Sequence, residues 1–321
     1  MKSEILSLLR NADGYVSGEE LSKKLGVSRT AIWKNINLLR EEGYVINSIT
    51  NRGYKLEKSP DVLDENILSD GLNVSVVGTK IKVMKSVDST NEEVKRLGNN
   101  GEESGLIVAA EEQTAGKGRL GRVWKSDNGG LYFTLLIRPE LPPSAIASIT
   151  LAAGYAVCLA IREYTNCDAK IKWPNDVIIG NKKVCGILTE MAAQSDQIDY
   201  VAIGIGINVN HTEFPEEISQ KATSLRLETG KKIDRNPFFK CAIQKLDTVL
   251  SSFLVSVSLE DIQSFKELCA TLGRKVSVQR GGKTVEGTAC DITPNGELII
   301  KDNTGHNICV NSGEVTVQGI Y

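Results

Sequence analysis

The sequence has few histidines, no closely spaced cysteine pair of the CxxC type and almost no net charge. Its two histidines, His211 and His306, lie far apart among 321 residues, which argues against a histidine-rich metal cluster or a histidine-based catalytic triad. The seven cysteines form no CxxC pair, so we expect reduced thiols and a cytoplasmic protein. The net charge of −2 gives none of the global basicity that attracts nucleic acid or an anionic membrane. The N-terminus lacks the basic and then apolar pattern of a signal peptide.

Charged residues are also missing from residues 141–161, a run of 21 residues that is long enough to cross a bilayer. The run opens with Pro142 and Pro143, contains Ser148 and Thr150, and is mostly alanine rather than leucine. We therefore predict a buried helix over residues 144–164, capped near Ser144, and no association with a membrane.

The chain is longer than one compact domain usually needs, and its pattern changes twice. Residues 1–60 have helical periodicity, residues 61–271 alternate strand-like and helical runs, and residues 272–321 contain only short β runs with turns. These features predict a multidomain α+β protein: an N-terminal winged helix-turn-helix domain, a central mixed α/β domain and a C-terminal SH3-like β-barrel. Residues 58–80 are predicted to be a polar connector.

The N-terminal segment carries a helix with one basic face. Residues 1–57 hold nine Lys or Arg against seven Asp or Glu, a local charge of +2. Ser17 and Ser28 are predicted to cap the second and third helices, and Asn51-Arg52-Gly53 to turn a β-hairpin, the wing. At 100° per residue, the polar arc of the third helix contains Arg29, Thr30, Trp33, Lys34, Asn37 and Arg40.

This arc predicts a DNA-binding surface made of Arg29, Thr30, Trp33, Lys34 and Asn37, with Arg52 at the tip of the wing. An aromatic residue such as Trp33 on a polar face is hard to explain by core packing. The alternative is a small helical interaction domain whose charges are merely solvated.

Residues 116–124 form a basic, glycine-rich loop: Gly116-Lys117-Gly118-Arg119-Leu120-Gly121-Arg122-Val123-Trp124. The spacing matches the GxGxxG of dinucleotide folds and kinases, but a strand rather than a helix follows, and the other kinase motifs are absent. A Walker A loop would need Lys-Ser or Lys-Thr after the last glycine. Glycines that expose backbone N–H groups beside three cations still predict a site for a polyanion, and Trp124 offers a face for stacking.

Four further stretches place polar residues at the ends of apolar, glycine-containing strands. They are Asp88-Ser89-Thr90-Asn91, Lys172-Trp173-Pro174-Asn175-Asp176, Lys183-Val184-Cys185-Gly186-Ile187-Leu188 and Gly204-Ile205-Gly206-Ile207-Asn208. Each also has an ordinary structural explanation as a helix cap, a turn or a packing glycine. In this order, together with the basic loop, they resemble the motifs of the biotin–protein ligases. With the winged helix in front, the chain is similar to the bifunctional bacterial form, which is also a repressor. One departure is Lys117, where the family usually has arginine; the charge is kept and the guanidinium fork is lost.

The resemblance implies a catalytic domain that activates biotin with ATP, assisted by Mg²⁺, as biotinyl-5′-AMP. Biotin would then pass to a lysine of a biotin carboxyl carrier protein. The implied biotin-binding residues are Ser89, Thr90, Asn91, Gln113, Lys117, Gly118, Arg119, Lys183, Gly186 and Gly204. The implied nucleotide-binding residues are Arg119, Arg122, Trp124, Asn175, Asp176 and Asn208. The implied catalytic residues are Lys183, which contacts both reacting anions, and Arg119, Arg122 and Lys172, which handle the phosphates. Asn175 and Asp176 would position groups or the metal, and no side chain is assigned as a resident metal ligand.

The same resemblance implies regulation: the protein carrying biotinyl-AMP would form a homodimer and bind operator DNA at two half-sites. Three alternatives remain at this point. The chain could be a transcription factor that senses a small molecule without chemistry, or a lipoate or octanoate transferase of the same general fold. The N-terminal domain could also serve only to order the active site.

Overall fold

The computed structural model describes residues 1–194, 197–255, 259–280 and 282–321. By its internal contacts the chain divides into two compact units, Met1–Asp70 and Gly71–Tyr321. Residues 61–70, which the sequence pattern assigned to the central domain, belong to the first unit.

The first unit contains three helices, a β-hairpin and a short fourth helix. The helices are α1 (Lys2–Arg10), α2 (Gly18–Leu25), α3 (Arg29–Glu41) and α4 (Glu65–Ser69), and the hairpin pairs β1 (Val45–Ile49) with β2 (Gly53–Lys58). Ser17 accepts a hydrogen bond from the backbone N–H of Glu20, and Ser28 accepts one from Ala31, so both predicted caps are confirmed. Ile5, Leu21, Ile32 and Ile36 form the core of this winged helix-turn-helix.

The second unit is built on a seven-stranded sheet with the order β3-β4-β5-β9-β8-β7-β6. Its strands are β3 (Lys80–Val87), β4 (Leu106–Gln113), β5 (Leu131–Ile137), β6 (Ala169–Lys172), β7 (Asp176–Ile179), β8 (Lys182–Gln194) and β9 (Gln197–Ile207). Strands β3 and β4 run parallel, and the other neighbours run antiparallel. Helices α5 (Thr90–Asn99), α6 (Ile146–Thr165), α7 (Glu216–Ser219), α8 (Leu225–Thr229), α9 (Arg235–Val255) and α10 (Leu259–Leu268) complete the layer around it. The predicted mixed α/β architecture is confirmed.

Helix α6 contains most of the charge-free run of residues 141–161 and extends past it through Arg162 and Glu163. Its length and apolar composition would suit a membrane span, but 61% of that stretch is buried inside the protein, as a core helix requires. The predicted cap at Ser144 is wrong: residues Pro143–Ala145 form a 3₁₀ turn, and Ala145 precedes the helix without a side-chain cap. The two prolines that open the run have no N–H to donate, and they favour this tighter turn before the helix begins.

The C-terminal part of the second unit is a five-stranded antiparallel sheet with the order β13-β12-β11-β10-β14. The strands are β10 (Lys275–Arg280), β11 (Lys283–Ile292), β12 (Leu298–Lys301), β13 (Asn307–Val310) and β14 (Glu314–Val317). The buried indole of Trp173 donates to the carbonyl of Gly296, which ties this sheet to the loop after β6.

The predicted connector at residues 58–80 is largely part of the folded structure. Leu68 in α4 and Val77 are fully buried. Asp247 on α9 accepts hydrogen bonds from the backbone N–H groups of Ser75, Val76 and Val77 at 3.0, 2.7 and 2.8 Å. A segment without regular structure is thus fixed by one carboxylate that lies 170 residues further along the chain.

Candidate active site

Glycines at the centre of the large sheet form the floor of a cleft. Gly186 on β8 pairs directly with Gly206 on β9, and Gly204 lies two residues before it. A Cβ atom at Gly204 would lie 1.9 Å from the Asn91 side chain, and one at Gly206 would lie 2.6 Å from the Trp124 ring. The glycines are therefore required because other groups lie directly on the sheet.

Polar side chains gather at one end of this cleft. Because β3 and β4 are parallel, with Val87 opposite Gln113, the segment after β3 meets the end of β4. Gln113 Oε1 accepts from the backbone N–H of Thr90 at 2.8 Å and from its hydroxyl at 3.1 Å. Ser89 is 2% exposed and its side chain does not cap helix α5. This end of the cleft thus presents hydroxyl and amide groups held in fixed positions.

Asn91 connects the polar end to the sheet. Its Oδ1 accepts from Thr134 at 2.7 Å, and its Nδ2 donates to the carbonyl of Leu188 at 3.2 Å and to Glu190 at 2.9 Å. The hydroxyl of Thr134 also lies 2.8 Å from that of Thr90. Each polar atom of Asn91 is satisfied, so the side chain is a rigid support rather than a mobile contact.

The basic loop folds over the cleft as a flap, defined here as residues 114–126. At its base, an antiparallel β-bridge joins Gln113 to Ser126, and a second one joins Lys117 to Val123 nearer the tip. Leu120 adopts a left-handed backbone conformation with φ 57° and is 73% exposed, as is typical of a turn tip. The ring of Trp124 lies on Gly206 and Gly186, and its buried Nε1 has no hydrogen-bond partner among the described residues.

The three flap cations make different contacts. Lys117 forms an ion pair with Glu92 at 2.7 Å, and Arg122, which is exposed, pairs with Glu314 of the C-terminal sheet. Arg119 donates to the side-chain oxygen of Asn175 at 2.8 Å and to the carbonyl of Gly313 at 2.9 Å. Burial lowers the pKa of Arg119 from its usual range. Two cations are thus neutralised by carboxylates, whereas Arg119 is bonded to uncharged acceptors.

Two lysines and one carboxylate lie beneath the flap. Lys183 Nζ is 2.5 Å from Asp176 Oδ1 and 5.2 Å from the centre of the Trp124 ring. The hydroxyl of Tyr321 donates to the other oxygen of Asp176, and Lys172 Nζ lies 3.5 Å from the centre of the Tyr321 ring. Burial lowers the pKa of Lys172 to about 8. A nearby anionic substrate would favour the charged form of this lysine.

The structure brings most of the predicted site residues to one cleft. All ten predicted biotin-binding residues line it, as do Trp124 and Asn175 of the predicted nucleotide set. Four predicted residues do not line it: Arg122 points to Glu314, Lys172 to Tyr321, Asp176 to Lys183, and Asn208 donates to the carbonyl of Thr223 at 3.0 Å.

Sequence reasoning missed three residues that support this cleft. Thr134 is the one aliphatic hydroxyl in the mostly apolar strand β5, and it lies opposite Gly204 on β9, so the strand pattern could have indicated it. Glu92, the partner of Lys117, and Tyr321, the partner of Asp176, carried no such signal. Their partners lie 25 and 145 residues away along the chain.

The predicted DNA-facing residues lie on α3 and the hairpin of the first unit. Arg29, Thr30, Lys34 and Arg52 are exposed, and Trp33 is 56% exposed. Asn37 is half-buried and accepts from Arg40, which also donates to the carbonyl of Ile46. Arg40 therefore clamps the hairpin to α3, which corrects its predicted position on the open polar arc.

Comparison with known proteins gives relatives over nearly the whole chain. The chain is 35% identical over 309 residues to the bifunctional ligase/repressor BirA of Bacillus subtilis, and the match covers 95% of each protein. It is 30% identical over 302 residues to the bifunctional ligase/repressor BirA of Escherichia coli, covering 94% of this chain and 92% of that protein. The chain belongs to the BirA family.

Family models and solved structures agree with this membership. Residues 83–208 match the biotin/lipoate A/B protein ligase family, residues 2–55 an HTH domain, and residues 271–317 the biotin protein ligase C-terminal domain. A biotin protein ligase from Aquifex aeolicus, in complex with biotin and ATP, is 32% identical and superposes with a TM-score of 0.66. That match covers 75% of this BirA-family chain and 99% of the Aquifex chain.

Proposed function

We propose that this chain joins biotin to ATP as biotinyl-5′-AMP and then transfers biotin to a lysine of a biotin carboxyl carrier protein. One observation carries this proposal. The cleft on the large sheet has hydroxyl and amide groups at one end and an ammonium and an indole at the other, beneath a cationic flap. That arrangement suits a ligand with an uncharged polar head and a carboxylate tail that must meet a polyphosphate.

The polar end suits the ureido ring of biotin. This ring has one carbonyl acceptor and two N–H donors, and Ser89, Thr90 and Gln113 supply hydroxyl and amide partners beside it. A buried site built for such hydrogen bonds rejects a ligand that cannot make them, because its own polar groups then stay unpaired. Lipoate lacks the ureido group, so the geometry favours biotin. Competition by lipoate for bound biotin would contradict this assignment.

The reaction needs charge neutralisation rather than a protein nucleophile. A carboxylate oxygen of biotin attacks the α-phosphorus of ATP, the bond to the β-phosphate breaks, and pyrophosphate leaves with the electron pair. Two anions must approach each other, so a fixed ammonium between them lowers the barrier. Lys183 at the edge of the cleft is the group that we assign to this task, with Asp176 holding its Nζ in place.

The remaining cations and amides fit the nucleotide. The Trp124 ring is suited to stack on adenine, with Asn208 on the neighbouring strand end, and Arg119, Arg122 and Lys172 are suited to the phosphates. Asn175 holds Arg119 and so orients it. The flap also keeps water from the mixed anhydride until the carrier lysine attacks its carbonyl and releases AMP.

Magnesium would enter as part of the substrate. Among the described residues, no group of three or more His, Cys, Asp or Glu side chains is arranged to hold a metal ion. Asp176 is already engaged by Lys183 and Tyr321. These donors do not fit a resident ion, so Mg²⁺ would arrive coordinated by the phosphates of ATP.

Adenylate formation by the purified full chain tests this function. We expect biotin and MgATP to yield biotinyl-AMP and pyrophosphate. We expect Lys183→Ala to lose pyrophosphate exchange while biotin affinity falls much less. Lys182→Ala is the matched control, since Lys182 is adjacent on β8 and its Nζ contacts the carbonyl of Ser219 instead. Undiminished exchange in Lys183→Ala would overturn the assignment of this lysine.

The exposed face of the first unit supports a second role as a repressor. Arg29, Thr30, Trp33, Lys34 and Asn37 are proposed to enter the major groove, with Arg52 on a phosphate. We propose that the form carrying biotinyl-AMP dimerises and binds two operator half-sites, and that the C-terminal sheet closes as an SH3-like barrel. A gel shift should show tighter operator binding with biotin and ATP than without. Equal binding in both conditions would reject the ligand-gated part.

A further inference from the structure

Tyr321 lies beyond the last strand of the C-terminal sheet and reaches the lysines of the cleft. Its backbone N–H donates to the carbonyl of Asn181 at 3.3 Å, and Ile320 before it is buried. The carbonyl of Gln318 accepts from Arg274 at 3.1 Å, and the N–H of Gln318 donates to the carbonyl of Lys275 at 3.0 Å. The segment is thus fixed at several points, so the position of the Tyr321 side chain is well defined.

The side chain of Tyr321 contacts two charged groups in different ways. Its hydroxyl donates to Asp176 Oδ2, and the face of its ring lies 3.5 Å from Lys172 Nζ. The other oxygen of Asp176, Oδ1, forms an ion pair with Lys183 Nζ at 2.5 Å. One aromatic residue therefore contacts Lys172 directly through its ring and Lys183 indirectly through Asp176.

We propose that Tyr321 is a positioning residue for adenylate formation, acting on Lys183 through Asp176 and on Lys172 through its ring. A carboxylate on β7 can rotate about its side-chain bonds, and each rotation moves the oxygen that holds the Lys183 ammonium. The hydroxyl of Tyr321 fixes one oxygen, so the other stays aimed at Lys183. The ring face stabilises a buried ammonium at Lys172 without neutralising its charge, so the charge remains available to a phosphate.

This inference rests on the proposed role of Lys183 and predicts that the phenolic hydroxyl affects chemistry rather than biotin binding. Tyr321→Phe keeps the ring and removes the hydrogen bond. We expect it to lower kcat for adenylate formation about tenfold, the usual scale for one hydrogen bond to a charged group, with KM for biotin changed less than twofold. Tyr321→Leu removes both contacts and should lower kcat further.

A double-mutant cycle separates positioning from simple anchoring of the C-terminal segment. If Tyr321 acts through Asp176, the hydroxyl has nothing to position once that carboxylate is gone. Asp176→Asn/Tyr321→Phe should then be no slower than Asp176→Asn alone. Gln318→Ala serves as the matched control, because this exposed side chain lies in the same segment and the hydrogen bonds that anchor the segment there are made by its backbone.

The assay is single-turnover formation of biotinyl-AMP at saturating biotin and MgATP, with biotin affinity and the unfolding midpoint measured for each full-length variant. A wild-type rate for Tyr321→Phe, or multiplicative effects in the cycle, would overturn the inference. The inference would also be overturned if Tyr321→Phe lowered kcat, biotin affinity and the unfolding midpoint together, because a merely structural role predicts that pattern. A wild-type chain that forms no adenylate would instead overturn the proposed function, and this inference with it.

Discussion

The buried ammonium of Lys172 gives a testable pH dependence. Lys172 is 6% exposed, and burial lowers the pKa of its side chain to about 8. The charged groups around it come from four other elements: Asp176, Lys183, Glu314 and Arg122, with the Tyr321 ring against its Nζ. Asp176 and Glu314 raise the pKa, and Lys183 and Arg122 lower it.

The sign and size of the effect follow from this pKa. A phosphate is stabilised by the protonated amine, so activity is present below the pKa and lost as pH rises through it. With a pKa of about 8, about nine-tenths of Lys172 is protonated at pH 7 and about one-tenth at pH 9. With biotin saturating, kcat/KM for ATP reports the biotin-bound enzyme before the nucleotide binds, so it should fall about tenfold between these pH values. Bound triphosphate favours the ammonium, so the fall in kcat should occur at higher pH.

The measurement is initial-rate pyrophosphate release across pH 6.5–10 with ATP varied at saturating biotin. Lys172→Arg is the decisive comparison, because a guanidinium stays charged throughout that range. In Lys172→Arg, the fall of kcat/KM at alkaline pH should disappear, even if the absolute rate of this variant is lower. An identical decline in Lys172→Arg would refute the assignment of this pH dependence to Lys172.

Three further predictions follow from single contacts. Gly204→Ala should weaken biotin binding at least tenfold, because a Cβ there would lie 1.9 Å from Asn91. Titration of biotin checks this. Gly154→Ala is the control, because its Cβ would meet only Ile187, at 3.5 Å. Arg52→Ala should lower the slope of log affinity against log salt by about one in operator titrations, and an unchanged slope would contradict a phosphate contact. Asp247→Ala leaves three backbone N–H groups without their acceptor and should lower the free energy of unfolding by about 1–3 kcal/mol, measured by urea titration. An unchanged urea midpoint, with an unchanged dependence of the unfolding free energy on urea concentration, would contradict this prediction.

The sequence predicts the parts of the site that are encoded locally. Ser89 and Thr90 follow the end of β3 and Gln113 ends β4, and two parallel neighbours bring those ends together. The flap glycines and the sheet glycines mark places where backbone and ring approach closely, and such glycines can be recognised in a single sequence.

The sequence does not predict contacts that single residues make with partners far along the chain. Asp247 fixes residues 75–77, and Tyr321 reaches Asp176, yet neither has a neighbouring pattern that names its partner. Local rules also fail where two of them compete. The prolines before α6 impose a 3₁₀ turn where a serine cap was expected, and Arg40 bonds the hairpin although its helical position faces outward.

The contacts of the flap indicate which of its cations contributes most to nucleotide binding. Lys117 and Arg122 are about half to two-thirds exposed and already pair with carboxylates, and exposed ion pairs are worth only about 0–1 kcal/mol. When a phosphate binds to Lys117 or Arg122, it replaces one anionic partner by another, so the net gain in binding free energy is small. Arg119 is mostly buried and bonded to neutral oxygens, and Asp176 and Glu314 act on its charge only from a distance. A phosphate that reaches it gains a charge-assisted hydrogen bond without breaking an ion pair, and Arg119 should therefore dominate the attraction of the flap for ATP.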